Sequence, residues 1–320
     1  DIFAAAFAAP AVTLADPAQA QGSGWPARPI RVVVPWPAGS SFADGIARHL
    51  GERASASLGQ PFVIENRAGA GGTIGSDAVA KAPPDGYTLG VSNIASHAIA
   101  PAMYRAIGYD PVRDCTHIAP LGETPLGLAV AADAPYRDLA SLLAAARERP
   151  GSLRIGTPGN GTIAHVTVEA LRQLTRLDIT HVPFRGPDPA NIEVIAGRIE
   201  AAVAPIPVFV NNDRLRMLGI AEPQRLARYP GTPTFREQGL DLVVRPWFGV
   251  FGPAALPLAI ADRLNQEVVG ALSAPDGAAL LERLGAAPYQ AFSRADYTAF
   301  VAAEAARWGE VVRAAGIRAD

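Results

Sequence analysis

The sequence predicts an α/β protein built as two lobes with a cleft between them, on three observations. The chain has 320 residues, about two average domains' worth of length. From Pro29 onward, short β-branched runs alternate with longer helical ones in the order βαβαβ, the pattern of a mostly parallel sheet with helices on both faces. A second set of the same units starts near Leu126 without any repeat of short fixed period, so the duplication is one of architecture.

Each element follows from its residues. Ile30 to Val34 is β-branched and stops at Pro35, which makes it a strand; a Pro/Gly/Ser loop follows, then a helix from about Asp44 to Leu58. Phe62 to Glu65 is the next strand, Ala68 to Gly75 a glycine-rich turn, the stretch to about Lys81 a helix, and Thr88 to Val91 a third strand. In the second set, strands are expected at Leu128 to Ala131, Leu153 to Gly156, Asp178 to Val182, Ile199 to Val203 and Leu215 to Ala221. Helices are expected at Leu139 to Arg149, Ile163 to Leu174 and Ile192 to Ala196, and the chain closes with helices at Leu258 to Ser273 and Arg294 to Ala315. Residues 25–124 plus 246–320 are assigned to domain I and 125–245 to domain II, with 1–24 as a signal peptide and disordered N-terminus.

The signal-peptide expectation rests on Ile2 to Leu14, an apolar stretch too short to span a bilayer, followed by the small-x-small site Ala18-Gln19-Ala20. Cleavage near Ala20 would place the mature chain in the periplasm. Hydrophobic residues at 49%, charged residues at 18% and a mean hydropathy of +0.15 describe a globular chain rather than a disordered one. A net charge of −2 and the lack of any basic run exclude a nucleic-acid partner. The single cysteine, Cys115, permits neither an internal disulfide nor a Cys-based metal site and is expected to be a small buried hydrophobe.

Two segments share a construction in which a strand ends, a Gly/Ser/Thr-rich loop follows and a helix begins: Pro35 to Asp44, and Gly156 to His165. Each would present hydroxyls and backbone N–H groups at a helix N-terminus, where the first donors lack internal partners and the helix dipole favours negative charge, so a carboxylate suits both. The alternative is that Ser41 or Asp44, and Thr162, simply cap their own helices. One such loop on each lobe favours binding, because ligands of α/β sheets sit outside the carboxyl ends of strands and between domains. Gly69 to Gly75 fails the G-x-G-x-x-G spacing at Ile74 and is better taken as a tight turn with a close backbone approach. There is no G-x-S-x-G elbow, H-E-x-x-H or P-loop, and the five histidines show no ligand spacing, so no catalytic residue, cofactor or metal is expected. His97 and His165 follow polar loops and are kept as residues that could touch a ligand.

These residues, taken together, resemble the solute-binding proteins of tripartite tricarboxylate transporters, the Bug receptors. The resemblance is carried by RPIRVVVPWPAG at 28–39, IENRAGAGGTIG at 64–75, DAVAK at 77–81, PDGYTL at 84–89, YDPVRD at 109–114, residues 156–165, HVPFRG at 181–186, YPGTPT at 229–234, WFGVFGP at 247–253 and the closing 308–320. It implies a type II periplasmic-binding-protein fold, two α/β domains joined by crossing strands that close over an organic anion and deliver it to a membrane transporter. It also implies carboxylate contacts from loops matching Trp36 to Phe42 and Thr157 to Thr162, and further contacts from the segment matching Ser92 to His97.

The expected ligand contacts are therefore Trp36, Gly39, Ser40, Ser41, Phe42, Ser92, Asn93 and Ser96 from the first lobe, and Thr157, Asn160, Gly161 and Thr162 from the second. Three departures from the family pattern bear on the ligand. The loop after Gly39 is one residue longer, with Phe42 inserted; Gly186-Pro-Asp-Pro189 replaces a Gly-Ser-Ala-Pro; and Ala204-Pro-Ile-Pro207 lacks the usual polar or acidic residue. If that last position faces the cleft, no carboxylate is there to pair with an ammonium, which argues against an amino-acid ligand. Trp36 and Phe42 would either pack on an apolar ligand body or stay in the lobe core. The protein is expected to act as a monomer, with a small carboxylate and membrane transporter subunits as partners. The alternatives are a sensor component signalling to a membrane histidine kinase, and a secreted hydrolase using Ser96 with His165.

Overall fold

The computed structural model describes residues 24–39, 42–210, 212–287 and 293–318. The expected signal peptide and its cleavage site, and Ser40 and Ser41, lie outside the described residues. Among the described residues no helix is long and apolar enough to cross a membrane.

The first sheet contains β1 (Ile30–Val34), β2 (Phe62–Asn66), β3 (Thr88–Asn93), β4 (Cys115–Glu123) and β10 (Trp247–Pro253), in the order β2-β1-β3-β10-β4. The second contains β5 (Leu126–Ala131), β6 (Leu153–Thr157), β7 (Ile179–Pro183), β8 (Ala201–Pro205) and β9 (Leu215–Ile220), in the order β7-β6-β8-β5-β9. The two orders are the same design. In each, a parallel trio formed by alternating strands and helices is followed by one antiparallel strand that has just crossed from the other sheet, and by one outer strand.

The expectation of mostly parallel sheets is corrected by those crossing strands. β10 runs antiparallel to β3 and β4, and β5 antiparallel to β8 and β9, while β1 pairs in parallel with β2 and β3, and β6 with β7 and β8. A strand entering from the opposite lobe arrives from the far end of the sheet, so it inserts against the direction of the trio. The chain crosses from β4 to β5 at 124–125 and returns between β9 and β10. There the Thr124 N–H donates to the Pro246 carbonyl at 2.9 Å, tying the two crossings together.

The helices cover both faces of each sheet. In the first lobe, α1 (Phe42–Leu58) and α8 (Leu258–Ser273) pack on the face presenting Ile30, Val32 and Val34, and α2 (Thr73–Ala80) lies on the face of Val33 and Phe251. A π-helical turn at Ala95–Ile99 runs into the short α3 (Ala100–Met103). In the second lobe, α4 (Leu139–Glu148) and α5 (Ile163–Thr175) cover one face, and α6 (Pro187–Ile195) and the short α7 (Pro207–Val210) the other. Helix α9 (Pro275–Arg283) follows α8, and α10 (Arg294–Ala315) buries Tyr297, Val301, Trp308 and Val312 in a core shared with Ile94, Met103 and the second lobe. Trp247 and Trp308 both donate their indole N–H to Glu304 Oε2, at 3.2 and 2.9 Å, which satisfies the polar atoms of that core.

Candidate functional site

In the first lobe, the loop leaving β1 is organised by Asp44 in the first turn of α1. Its carboxylate accepts from the Gly39 N–H at 2.8 Å, from Arg48 Nε at 2.9 Å and from Asn66 Nδ2 at 2.8 Å; the same amide nitrogen donates to the Trp36 carbonyl at 2.9 Å. Hydrogen bonding to Arg48 above all, then to Asn66 and Gly39, outweighs burial and pulls the Asp44 pKa down to about 2. The loop thus rests on a permanent anion, and β2 supplies the Asn66 that braces it.

The glycine-rich turn lies directly beneath. A Cβ on Gly72 (φ +94°) would sit 3.3 Å from Trp36 Cζ2 and 3.4 Å from Ser96 Cβ, and one on Gly75 would sit 2.8 Å from Pro35 Cβ. The turn therefore has the close-approach role expected of it. The two aromatics part company here. Phe42 is buried in the core, with its ring centroid 4.9 Å from that of Phe248, whereas Trp36 is half-buried and meets Phe248 edge-on at 5.9 Å.

The end of β3 and the turn that follows it are inward-facing. Ser92 and Ser96 are fully buried, and Asn93 nearly so. The Ser92 hydroxyl faces Tyr297 of α10, Asn93 Oδ1 accepts from the Ser96 N–H at 3.0 Å, and Ser96 Oγ lies 2.9 Å from His97 Nδ1. His97 is buried between Phe251 and Cys115, and burial holds its pKa well below that of a free imidazole. Cys115 is buried as expected, and burial pushes its thiol pKa up. Ser96 is thus bonded to His97 and not to His165, so the hydrolase pair is not assembled.

In the second lobe, the loop from β6 to α5 turns at Gly159 (φ +152°) and Gly161 (φ +71°). Thr162 is the N-cap of α5, accepting from the His165 N–H at 3.3 Å and donating to the Gly159 carbonyl at 2.8 Å. Thr157 is buried, with its hydroxyl 2.7 Å from His181 Nε2. Gly161 donates its N–H to His165 Nδ1 at 3.1 Å. Asn160 is exposed, and the N–H groups of Asn160, Thr162 and Ile163 have no hydrogen-bond partner among the described residues. Those N–H groups are the open donors at the positive end of a helix of 13 residues.

The loop reaches the other lobe at Met103: a Cβ on Gly161 would lie 2.6 Å from Met103 Cε, at the end of the segment that begins with Ser96. Gly161 thus abuts Met103, and within the first lobe Ser96, Gly72 and Trp36 are neighbours. At the crossings, Arg245 Nη2 lies 2.7 Å from Glu123 and its Nε 3.6 Å from Glu222, both carboxylates being buried. Burial, then the nearby Glu123, outweighs Arg245 and pushes the Glu222 pKa up to about 7. The sequence reading singled out neither this cluster nor Asp44 and Asn66 as a loop brace, because each partner lies far away along the chain. Among the described residues no group of three or more His, Cys, Asp or Glu side chains could hold a metal ion.

Two α/β lobes with twice-crossing strands, and an open helix N-terminus where they meet, define a solute receptor of the periplasmic-binding-protein kind. The chain belongs to the tripartite tricarboxylate transporter family receptors, whose family model matches residues 46–317. It is similar to protein BugT of Bordetella pertussis, 34% identical over 300 residues that cover 92% of this chain and 91% of that one. Among solved structures it is similar to R. palustris Rpa4515 with adipate, at 33% identity and a TM-score of 0.82 over 92% of this chain and 99% of that one. It is also similar to MatC (Rpa3494) from Rhodopseudomonas palustris with bound malate, at 32% identity and a TM-score of 0.78 over 90% of this chain and 100% of that one.

Proposed function

We propose that the protein is a periplasmic receptor that captures a small organic carboxylate between its two lobes and delivers it to a membrane transporter of the tripartite tricarboxylate type. The observation that carries this reading is the start of α5, where three backbone N–H groups are open at a positive helix end beside the first lobe. A carboxylate there gains from the dipole, and several hydrogen bonds to a charged acceptor add to it. The ligands named with Rpa4515 and MatC, adipate and malate, support the carboxylate class. The run Ala204-Pro-Ile-Pro207 offers no carboxylate for an ammonium, which favours an acid without an amino group.

In this reading the second-lobe contacts come from Asn160, Gly161 and Thr162, and the first-lobe contacts from Trp36, Gly39, Ser40 and Ser41. Ser92, Asn93, Ser96 and Thr157 lie one layer behind and hold the contact segments, and Phe42 packs under Trp36 through Phe248. The lobes then close about the crossings at 124–125 and 245–246.

The test is a thermal-shift screen against dicarboxylates, tricarboxylates, aromatic acids and acidic amino acids. A ligand at 100 times its dissociation constant adds about 2.7 kcal/mol, a rise of roughly 4 °C for a chain of this size. Asn160→Ala should weaken the response while leaving the unliganded melting temperature unchanged. No shift with any carboxylate would refute the reading, and a wild-type response from Asn160→Ala would exclude the Asn160 side chain as a ligand contact.

A further inference from the structure

Behind the second-lobe loop lies a pair of histidines that the binding reading leaves unused. His165, in the first turn of α5, and His181, on β7, stack face to face with ring centroids 3.9 Å apart and planes 10° apart. Each ring spends one nitrogen on the loop. His165 Nδ1 accepts the Gly161 N–H at 3.1 Å, and His181 Nε2 lies 2.7 Å from the Thr157 hydroxyl. The stack therefore grips the loop near both ends, at the last residue of β6 and at the residue before the N-cap.

We infer that His165 and His181 are positioning residues: they hold Gly161 and Thr157 so that the N–H groups of Asn160, Thr162 and Ile163 stay aimed at the ligand carboxylate. The inference rests on the receptor reading for the identity of the ligand, but the grip itself does not.

The grip requires one protonation state. An Nδ1 that accepts from Gly161 carries no proton, so the proton of His165 is on Nε2, 3.9 Å from Glu169 Oε1. Glu169 is buried and is held in turn by Arg172 at 2.6 Å. The charged and titratable groups facing His165 are His181 from β7, and Glu169 and Arg172 from its own helix. Burial above all, and also Arg172, keeps the His165 pKa below the ordinary value against the pull of Glu169, while burial and His165 lower that of His181 to about 4. A positive helix end disfavours a second positive charge there as well. Protonating His165 on Nδ1 would set donor against donor at Gly161 and release the loop. Both groups sit below 6.5, so the loop is held at neutral pH and loosens as the pH falls through their lowered pKa values.

The experiment has two arms. In the first, the unliganded protein is labelled with ¹⁵N: His165 should show a protonated Nε2 and an unprotonated Nδ1 at pH 7.5, and the Gly161 amide should be protected from hydrogen exchange. That protection should fall in His165→Ala and survive in His165→Asn, whose Oδ1 occupies the place of Nδ1. In the second, L-malate and adipate are titrated against wild type and variants side by side from pH 7.5 to about 4, the range that spans the lowered histidine pKa values. For whichever binds, His165→Ala should weaken affinity about 10-fold at pH 7.5, as expected for one hydrogen bond lost to a positioned group. His165→Asn should stay within about 2-fold of wild type at pH 7.5 and lose affinity less than wild type on acidification. Wild-type affinity in His165→Ala, or equal pH profiles for wild type and His165→Asn, would overturn the inference. If neither acid binds wild type, the receptor reading fails for these probes and the first arm decides alone: wild-type Gly161 exchange in His165→Ala overturns the positioning role.

Discussion

Asp44 shows how one residue can be both a helix-start anion and a loop brace. Its carboxylate is almost fully buried yet accepts four hydrogen bonds, from Gly39, Asn66 and two nitrogens of Arg48, which favours the charged form strongly enough to lower the pKa to about 2. A carboxylate whose folded pKa is depressed contributes stability above its unfolded value near 3.8, and that stability is lost as the pH falls from about 4 to about 2. The shift corresponds to about 2 kcal/mol. Asp44→Asn is therefore expected to lose about 2 kcal/mol in urea unfolding at pH 7, with the gap to wild type closing between pH 4 and 2. The same variant should bind its carboxylate more weakly, since Gly39 and the Trp36 loop lose their brace.

At the scale of elements, β10 is where packing is least forgiving. Gly249 pairs with Ser92 of β3 and lies under Tyr297 of α10; a Cβ there would fall 2.5 Å from Tyr297 Cζ and nearer still to its hydroxyl oxygen. Gly249→Ala is expected to cost about 3 kcal/mol, measured as a drop in melting temperature, because neither a central strand nor a fully buried tyrosine can give way. The same packing explains what the sequence hid. β1, α8 and α10 have the limits their residues predicted, because a β-branched run closed by proline and long amphipathic periods are local signals. β4 was missed because eight of its nine residues are buried, so it has no alternation, and because it carries His117, Pro120 and Gly122. β10, with two glycines and a proline, looked like a family motif rather than a strand, and α9 is a short helix with no side-chain cap. The two loops proposed to hold the ligand were legible as strand-loop-helix joints. Their braces were not, since Asn66 lies 22 residues from Asp44 and His181 lies 24 from Thr157.

For the molecule as a whole, the two crossings carry the relation between the lobes, and the buried Glu123, Arg245 and Glu222 cluster sits on them. Glu222 has its pKa raised from near 4.5 to about 7, chiefly by burial and then by Glu123. A carboxyl with a raised folded pKa binds its proton more tightly when folded, so it costs stability increasingly as the pH rises from about 4.5 through 7. Glu222→Gln is accordingly expected to be more stable than wild type by about 1–3 kcal/mol at pH 8, a difference that shrinks towards pH 5; thermal unfolding across that range measures it. A flat difference across the range would show that Glu222 is already neutral at pH 8 or ionised without penalty. The measurement that bears most directly on the account is a crystal structure of the protein with the carboxylate that gives the largest thermal shift. The account predicts a carboxylate oxygen about 2.7–3.1 Å from the N–H of Thr162 or Ile163, with the Trp36 loop closing on the same ligand from the first lobe. A ligand seated elsewhere, or lying between the lobes with its carboxylate turned away from the start of α5, would contradict it.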